Sequence, residues 1–228
     1  AVADLAATLG ASSSVEARRN AVWALTRIEG AAAREAVRQA LNDPEETIRQ
    51  AACHSIAVWR DSGALPGLLV MLKEGTPAVR RASAEALGRI GAKQAVPELL
   101  ASEPKDRILE HSATYALIEI ADPAGTARGL QASSSQTQRM ALIALDQMGG
   151  KGLDAARVTP LLASGDPVLK ETASWIAGHH PEWGPRLAGF FRSRLEDKGL
   201  SPKDRDDLQQ QLARFAKNSD IYILCFIR

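Results

Sequence analysis

The chain has 228 residues and a balanced charge, with 28 lysines and arginines against 27 aspartates and glutamates. A nucleic-acid-binding module usually has a clear basic excess, so this balance argues against a nucleic-acid partner. No segment reaches the roughly 18 consecutive apolar residues that a membrane-spanning helix needs, and a hydrophobic content of 45% is ordinary for a folded domain.

One pattern recurs along the chain, a helix of the form V-R-x-A-x-x-A-L-x-x-I that is followed by a turn and by A-V-x-x-L-L. Its clearest copy begins at Val79, and we take Leu87 of this copy as the anchor position. Equivalent anchors follow one another at intervals of 28 to 31 residues: Leu25, Ile56, Leu87, Leu117, Leu145 and Ile176. Apolar or small residues on one side of each helix form a stripe. Because a helix pair of about 30 residues cannot bury such a stripe alone, neighbouring pairs must stack.

These repeats resemble the short HEAT-like repeats of the phycobilisome-lyase type. The expected fold is therefore all-α, a right-handed α-solenoid of about six helix-pair repeats over residues 1–197. The first residues, 1–5, resemble the second helix of a repeat, so we expect the chain to start in mid-repeat and to be a fragment of a larger multidomain protein. Residues 198–217 are predicted to form a linker and a C-terminal helix, and residues 218–228 an apolar tail of unknown role.

Four segments, residues 59–66, 110–120, 141–148 and 179–184, carry a narrower resemblance. They are similar to the HEAT region of large exported planctomycete-type proteins that combine a membrane-bound dehydrogenase with a haem-binding domain. The haem-attachment motif C-x-x-C-H does not occur in this chain, so no cofactor is predicted. The resemblance implies a platform between neighbouring domains of the same polypeptide, in a periplasmic or exported setting.

Basic residues occupy two adjacent columns of the repeat. Seven residues before the anchor are Arg18, Arg49 and Arg80, at the edge of the apolar stripe, and we expect them to pair with acids such as Asp43 or Glu74. Six residues before the anchor is a column that points away from the stripe, which we call the basic row: Arg19, Gln50, Arg81, His111, Arg139 and Lys170. This row is either a solvated face or the contact surface for an acidic or phosphate-bearing partner.

Histidines and tryptophans supply the remaining candidates. His179 and His180 would bind a metal only if further ligands converge on them, and a helix-ending turn is the preferred explanation. The di-iron hydroxylases built on HEAT-like repeats need matched His-Glu ligands, and no such pairs recur here, so no metal site is predicted. Three tryptophans within the repeat helices are assigned to the core: Trp23, Trp59 and Trp175. Trp183 lies outside the repeat register and is a candidate for partner contact.

These observations predict a non-enzymatic scaffold that binds a protein partner or neighbouring domains, with Arg19, Arg81, His111, Arg139, Lys170 and Trp183 as candidate contacts. The first alternative is an enzyme of the chromophore-lyase or DNA-glycosylase kind. A groove lined by paired titratable residues would favour that alternative. The second alternative is a repeat module that assembles with itself, and the oligomeric state stays open.

Overall fold

The computed structural model describes residues 1–102 and 106–222, and these residues form helices and connecting turns without any strand. They divide into two compact units, unit 1 from Ala1 to Gly129 and unit 2 from Leu130 to Arg228. The expected all-α solenoid of HEAT-like repeats is confirmed. Residues 223–228 of the predicted apolar tail lie outside the described residues. No helix in the described part of the chain combines the length and apolar character needed to cross a membrane.

Unit 1 consists of helix pairs in two layers. Its helices are α1 (Val2–Ala11), α2 (Val15–Thr26), α3 (Ala31–Gln39), α4 (Glu46–Trp59), α5 (Leu65–Glu74), α6 (Pro77–Ile90), α7 (Val96–Leu100), α8 (Arg107–Ile120) and α9 (Pro123–Thr126). Short 3-10 turns link them at Ala40–Asn42, Ser62–Ala64 and Lys93–Ala95, and a further 3-10 turn, Ala127–Gln131, follows α9. Helices α2, α4, α6 and α8 pack side by side in one layer, and α1, α3, α5 and α7 belong to the other. The anchor residues lie in the first of these layers, in the long helices α2, α4, α6 and α8.

The long helices of unit 1 end in the same way in three successive repeats. The residue four positions after the anchor has a left-handed backbone: Arg60 with φ 49°, Gly91 with φ 72° and Ala121 with φ 53°. A left-handed residue directly after a helix lets its N–H reach the last free carbonyls, which closes the helix. Glycine adopts this conformation without strain, whereas arginine and alanine do so at a cost.

The predicted apolar stripe forms the core between the long helices. In α6, the side chains of Val79, Ser83, Ala86 and Leu87 are fully buried. The Ser83 hydroxyl donates a 2.6 Å hydrogen bond to the carbonyl oxygen of Leu68, so this buried polar group is satisfied. Small residues at these positions let the helices approach closely.

Glycine at position 88 sets the closest approach between α6 and α8. A Cβ atom added to Gly88 would lie 2.9 Å from the Cα atom of Ala116, a distance at which one backbone would have to shift. The two helices therefore pack against each other at this point only because position 88 has no side chain.

Unit 2 contains α10 (Ser135–Gln147), α11 (Ala155–Val158), α12 (Pro167–Gly178), α13 (Gly184–Glu196), α14 (Pro202–Arg214) and α15 (Ser219–Tyr222). Two 3-10 turns, Thr159–Ala163 and Pro181–Trp183, precede α12 and α13. Helix α12 packs against α10, and α13 packs against α11, α14 and α15. Helix α14 lies within residues 198–217, for which a linker and a helix were predicted.

The repeat register in α12 differs by one residue from the predicted one. The buried residues of this helix are Leu169, Ala173, Ser174, Ile176 and Ala177. Counted back from Ala177, they occupy the positions that are buried in α10 when counted from Leu145. The anchor is therefore Ala177 and not Ile176. The sequence pattern put the apolar Trp175 into the stripe, whereas close packing selects the smaller side chains of Ala173 and Ser174.

The arginines seven residues before the anchor hold the ends of neighbouring helices. The Arg18 guanidinium donates to both carboxylate oxygens of Asp43, at 2.8 and 3.1 Å. Arg49 donates to the carbonyl oxygens of Asp43 and Pro44, at 2.6 and 2.8 Å. Arg80 donates to the carbonyl oxygen of Leu72 at 2.8 Å and to that of Ser102. Asp43 is thus a partner as expected, while Arg80 bonds backbone carbonyls instead of Glu74.

Burial and hydrogen bonding act in opposite directions on Asp43. Burial alone would raise the pKa of its carboxyl, but the bonds from Arg18 and from the backbone N–H of Glu45 outweigh that effect and lower the pKa. The same contact raises the pKa of the Arg18 guanidinium, chiefly through its hydrogen bond to Asp43. The pair therefore stays ionised in the folded protein over the physiological range.

Candidate functional site

The exposed face of the long helices in unit 1 carries one conspicuous column, two residues before each anchor. We call it the exposed row, and its members are Trp23, His54, Glu85 and Tyr115. At 100° per residue this column lies about 160° from the anchor, on the side of the helix opposite the apolar stripe. Each repeat therefore presents one aromatic or titratable side chain on a common surface.

A cleft of about 320 Å³ opens on this surface between α2, α4 and α6. Its lining residues are Trp23, Thr47, Gln50, Ala51, His54, Ala57, Ala82 and Glu85. The three alanines contribute small side chains to the lining and leave space between the helices. The volume lies at the lower end of the roughly 300–1,000 Å³ typical of small-molecule sites.

The walls of the cleft are aromatic on one side and polar on the other. The rings of Trp23 and His54 meet edge to face, with centroids 5.5 Å apart and planes inclined by 64°. Gln50 donates a 2.8 Å hydrogen bond to Oε1 of Glu46, which positions its amide along α4. The exposed fraction of Trp23 is 39%. An aromatic side chain open to solvent beside polar groups is typical of a binding surface.

His54 and Glu85 are the titratable groups that line this cleft, and both are exposed. They come from equivalent positions of adjacent helices, whose axes are separated by roughly 8–10 Å in such packing. A ligand in the cleft is therefore within reach of an imidazole and a carboxylate at once. This is the side-chain pair used for proton transfer in many active sites.

Nucleophilic and metal chemistry are not indicated by the described residues. Cys53 is buried next to His54 in sequence, and burial raises the pKa of its thiol to about 12, so it is not a reactive thiolate. Residues 1–102 and 106–222 contain no group of three or more His, Cys, Asp or Glu side chains placed to hold a metal ion.

The predicted basic row is divided by the structure. In unit 1, Arg19, Arg81 and His111 lie one helical turn before Trp23, Glu85 and Tyr115, on the same face as the cleft. In unit 2, Nε of Arg139 donates a 3.3 Å hydrogen bond to the Thr172 hydroxyl.

Lys170 does not belong to the basic row. With Ala177 as anchor it takes the position of Arg18, and its Nζ atom forms a 2.9 Å ion pair with Asp207. This assignment of Lys170 was wrong because of the one-residue error in the register of α12.

Two tryptophans assigned to the core are on the surface instead. Trp23 faces the cleft, and Trp175 is 53% exposed, with its ring 4.3 Å from that of His179. Trp59 is half-buried, and its Nε1 donates a 2.8 Å hydrogen bond to the carbonyl oxygen of Thr26. The prediction assigned these tryptophans to the core because they are apolar. Their position on the helix argues otherwise, since counting from the anchor places Trp23 opposite the stripe. The same count would have found His54 and Glu85.

Trp183 packs within its own unit. Its ring stacks on that of His180, with centroids 3.9 Å apart and planes inclined by 6°. His180 also contacts Glu182, at 2.7 Å through Nδ1, and Asp146, at 3.6 Å through Nε2. The hydrogen bond from His180 lowers the pKa of the Glu182 carboxyl. His180 and Trp183 thus fasten the turn after α12, in agreement with a helix-ending turn.

Comparison with known proteins gives a family and two curated relatives. The family model of HEAT repeats matches residues 2–69 and 35–118, a range that includes the whole cleft. Deoxyhypusine hydroxylase-B of Oryza sativa subsp. japonica is 32% identical over 107 residues, covering 45% of this chain and 35% of that protein. Deoxyhypusine hydroxylase of Drosophila melanogaster is 32% identical over 102 residues, covering 44% and 33%. The chain spans about a third of the length of these relatives.

Among solved structures, the complex of CpcE and CpcF of phycocyanin lyase from Nostoc sp. PCC7120 has the same fold. It is 19% identical, covers 99% of this chain and 93% of its own, and has a TM-score of 0.52. This likeness agrees with the resemblance to lyase-type HEAT-like repeats in the sequence.

The relatives correct the functional prediction. Both curated proteins are enzymes, so the expectation of a non-enzymatic scaffold is contradicted, and with it the expectation that the chain has no part in catalysis. The alternative of a HEAT-like enzyme agrees better with them. It also agrees with the cleft, which is a groove lined by two titratable side chains.

Proposed function

Because this chain belongs to the HEAT-repeat family, with just over half of its residues matched by the family model, we propose that it is part of a HEAT-repeat enzyme whose active site is the cleft of unit 1. The observation that carries the proposal is the placement of His54 and Glu85 in one cleft beside the exposed ring of Trp23. The names of the curated relatives support an enzymatic role.

The proposed chemistry is proton transfer to and from a bound organic substrate. A neutral imidazole has one ring nitrogen that donates a proton and one that accepts, so His54 is suited to either direction of transfer. The Glu85 carboxylate, on the neighbouring helix, accepts a proton or orients the substrate by accepting hydrogen bonds. Trp23 offers a flat apolar surface for a planar or cationic part of the substrate. Together these groups suit an addition or elimination, in which one proton is removed and another is delivered.

Hydroxylation, the activity in the names of the relatives, does not follow from the residues present. The di-iron hydroxylases built on HEAT-like repeats need matched His-Glu ligands, and the described residues contain no His, Cys, Asp and Glu cluster that fits a metal ion. The Glu110-His111 pair has the reverse order, and Glu110 is buried while His111 is exposed. The proposal is therefore limited to proton transfer, and no oxidative step is assigned to this chain.

The remaining expectations about partners are part of the same proposal. Arg19, Arg81 and His111 flank the cleft and are proposed to contact a protein that carries the substrate group or a neighbouring domain of the same polypeptide. A place within a larger exported protein rests on the planctomycete-type resemblance of the sequence alone. Arg139 and Trp183 remain candidates for such contacts in unit 2.

The test compares the chain with two cleft variants, His54→Gln and Glu85→Gln, in an extract of the native cells. Untargeted mass spectrometry follows which small molecules or protein modifications change with time. We expect a change produced by the unmodified chain that either variant slows by roughly 100-fold. His179→Gln is the matched control, since it alters an exposed histidine of unit 2 that does not line the cleft. Equal activity of the chain and both variants would remove the cleft from the chemistry.

A further inference from the structure

Unit 2 has a second and larger cavity, of about 370 Å³, between α12, α13, α14 and the 3-10 turn before α12. Its floor is apolar and includes Leu162, Phe190 and Leu208, of which Leu162 and Leu208 are buried. Nε2 of Gln211 donates a 3.0 Å hydrogen bond to the carbonyl oxygen of Leu162, which ties α14 to the 3-10 turn. The floor is thus built from side chains and backbone held in place by the packing of the unit.

The rim of this cavity is charged, with three cations and two carboxylates. Lys170 and Asp207 neutralise each other through their 2.9 Å ion pair. Asp204 accepts a 2.6 Å hydrogen bond from the Ser201 hydroxyl, whose oxygen in turn accepts the backbone N–H of Asp204 at 3.1 Å. Both carboxylates are therefore engaged within the rim.

The other two cations are Arg194 on α13 and Lys203 on α14. Neither takes part in any ion pair recorded for the described residues. Together with Lys170, these two residues place positive charge close to the Asp204 carboxylate. The pKa of the Asp204 carboxyl is lowered chiefly by the Ser201 hydrogen bond; burial opposes this effect, and the positive charges of Arg194, Lys170 and Lys203 add to it. The rim thus has an excess of one positive charge over an apolar floor.

We propose that this cavity binds a small organic anion, with its carboxylate or phosphate group between Arg194 and Lys203 and its apolar part against Leu162, Phe190 and Leu208. Arg194 and Lys203 act on the Asp204 carboxylate but form no ion pair with it, so their N–H groups can bind such anions through charge-assisted hydrogen bonds. The apolar floor adds the free energy of removing hydrocarbon from water. The site lies in unit 2 and is independent of the cleft proposed as the active site.

Binding is measured on the whole chain by isothermal titration calorimetry and by NMR chemical shifts of the residues around the cavity. Four probes separate the contributions: octanoate and octyl phosphate carry both features, inorganic phosphate has only the charge, and octylamine has the opposite charge. We expect octanoate or octyl phosphate to bind, and inorganic phosphate and octylamine to bind at least tenfold more weakly. The stronger of the two amphipathic probes identifies the preferred anionic group.

The variant Arg194→Gln with Lys203→Gln should weaken binding of the preferred probe by roughly tenfold or more. Arg192→Gln with Arg205→Gln is the matched control, because these exposed arginines lie on the same two helices but do not line the cavity. Arg192, Lys203 and Arg205 are exposed and Arg194 is half-buried, so the fold should tolerate these polar substitutions. The proposal is overturned if no amphipathic anion binds, if octylamine binds as well as octanoate, or if the control variant weakens binding as much as the cavity variant.

Discussion

The two units each contain a cavity, and the cavities differ in how they arise and in the charge they carry. The cleft of unit 1 follows from regular repetition, since its His54 and Glu85 take the same position in successive helices. The cavity of unit 2 is lined by residues of α12, of the 3-10 turn before it and of α13 and α14, and its rim has an excess of positive charge. Regular packing thus places one chosen side chain per repeat on a surface, whereas irregular packing brings together residues from unrelated positions.

The first prediction, with the largest expected effect, concerns the regular packing of unit 1. Gly88→Val should destabilise the protein by roughly 3 kcal/mol, because the new side chain meets the backbone of Ala116 in α8. Urea unfolding followed by circular dichroism measures the change. Gly178→Val in α12 of unit 2 is the control, since a Cβ there meets nothing within 4 Å. A similar loss in both variants would show that the close approach of α6 and α8 is not the cause.

The second prediction compares the ion pairs that occupy the same repeat position in each unit. Asp43→Asn should cost roughly 1–2 kcal/mol at neutral pH, because it breaks the two bonds from Arg18. Since the pKa of Asp43 is lowered from 3.8, its stabilisation is present above that value and is lost as the pH falls through the folded pKa. The difference in stability between the variant and the parent should therefore shrink as the pH falls below 3.8.

Asp207→Asn supplies the matched variant in unit 2. The Asp207 side chain is 36% exposed, against 6% for Asp43, although the two ion pairs have almost the same length. Solvent screening should keep the effect of Asp207→Asn below about 1 kcal/mol. Thermal unfolding at several pH values distinguishes the two, and an equal cost for both variants would contradict the role given to burial.

The third prediction concerns the left-handed residues that end the long helices. Ala121→Gly should stabilise unit 1 by roughly 0.5–1 kcal/mol, because glycine adopts φ 53° without the strain that alanine has there. Gly91→Ala, at the equivalent position of the preceding repeat, should destabilise it by a similar amount. Calorimetric melting temperatures that move in the same direction for both substitutions would refute this explanation.

The smallest effect is expected for the exposed tryptophans. Trp23→Ala in unit 1 and Trp175→Ala in unit 2 should each change the free energy of unfolding by about 0.5 kcal/mol or less, as substitutions on the surface usually do. Trp59→Ala should cost clearly more, since it removes a half-buried ring and its hydrogen bond to Thr26. A large loss of stability in the Trp23→Ala variant would show that this side chain belongs to the core.

The sequence was sufficient for the repeats but not for the sites. The periodic pattern around Leu87 predicted the buried side of α2, α4, α6, α8 and α10, because small and apolar residues recur there at a helical period. It failed in α12, where the bulky Trp175 imitated a stripe residue. The cleft was missed because its lining comes from three helices, and the space between them depends on how closely the backbones approach. The cavity of unit 2 follows no repeat at all, so no periodic signal marks it.

The separation between the exposed row and the buried stripe has a consequence for evolution and for engineering. The residues at 23, 54, 85 and 115 share a surface but take little part in holding the helices together. Each can therefore change without a compensating change in the core, although Trp23 and His54, whose rings meet, are expected to influence one another. A library randomised at these four positions would sample many surface chemistries on one scaffold. Duplicating a single repeat would add one further position to this surface without altering the positions already present.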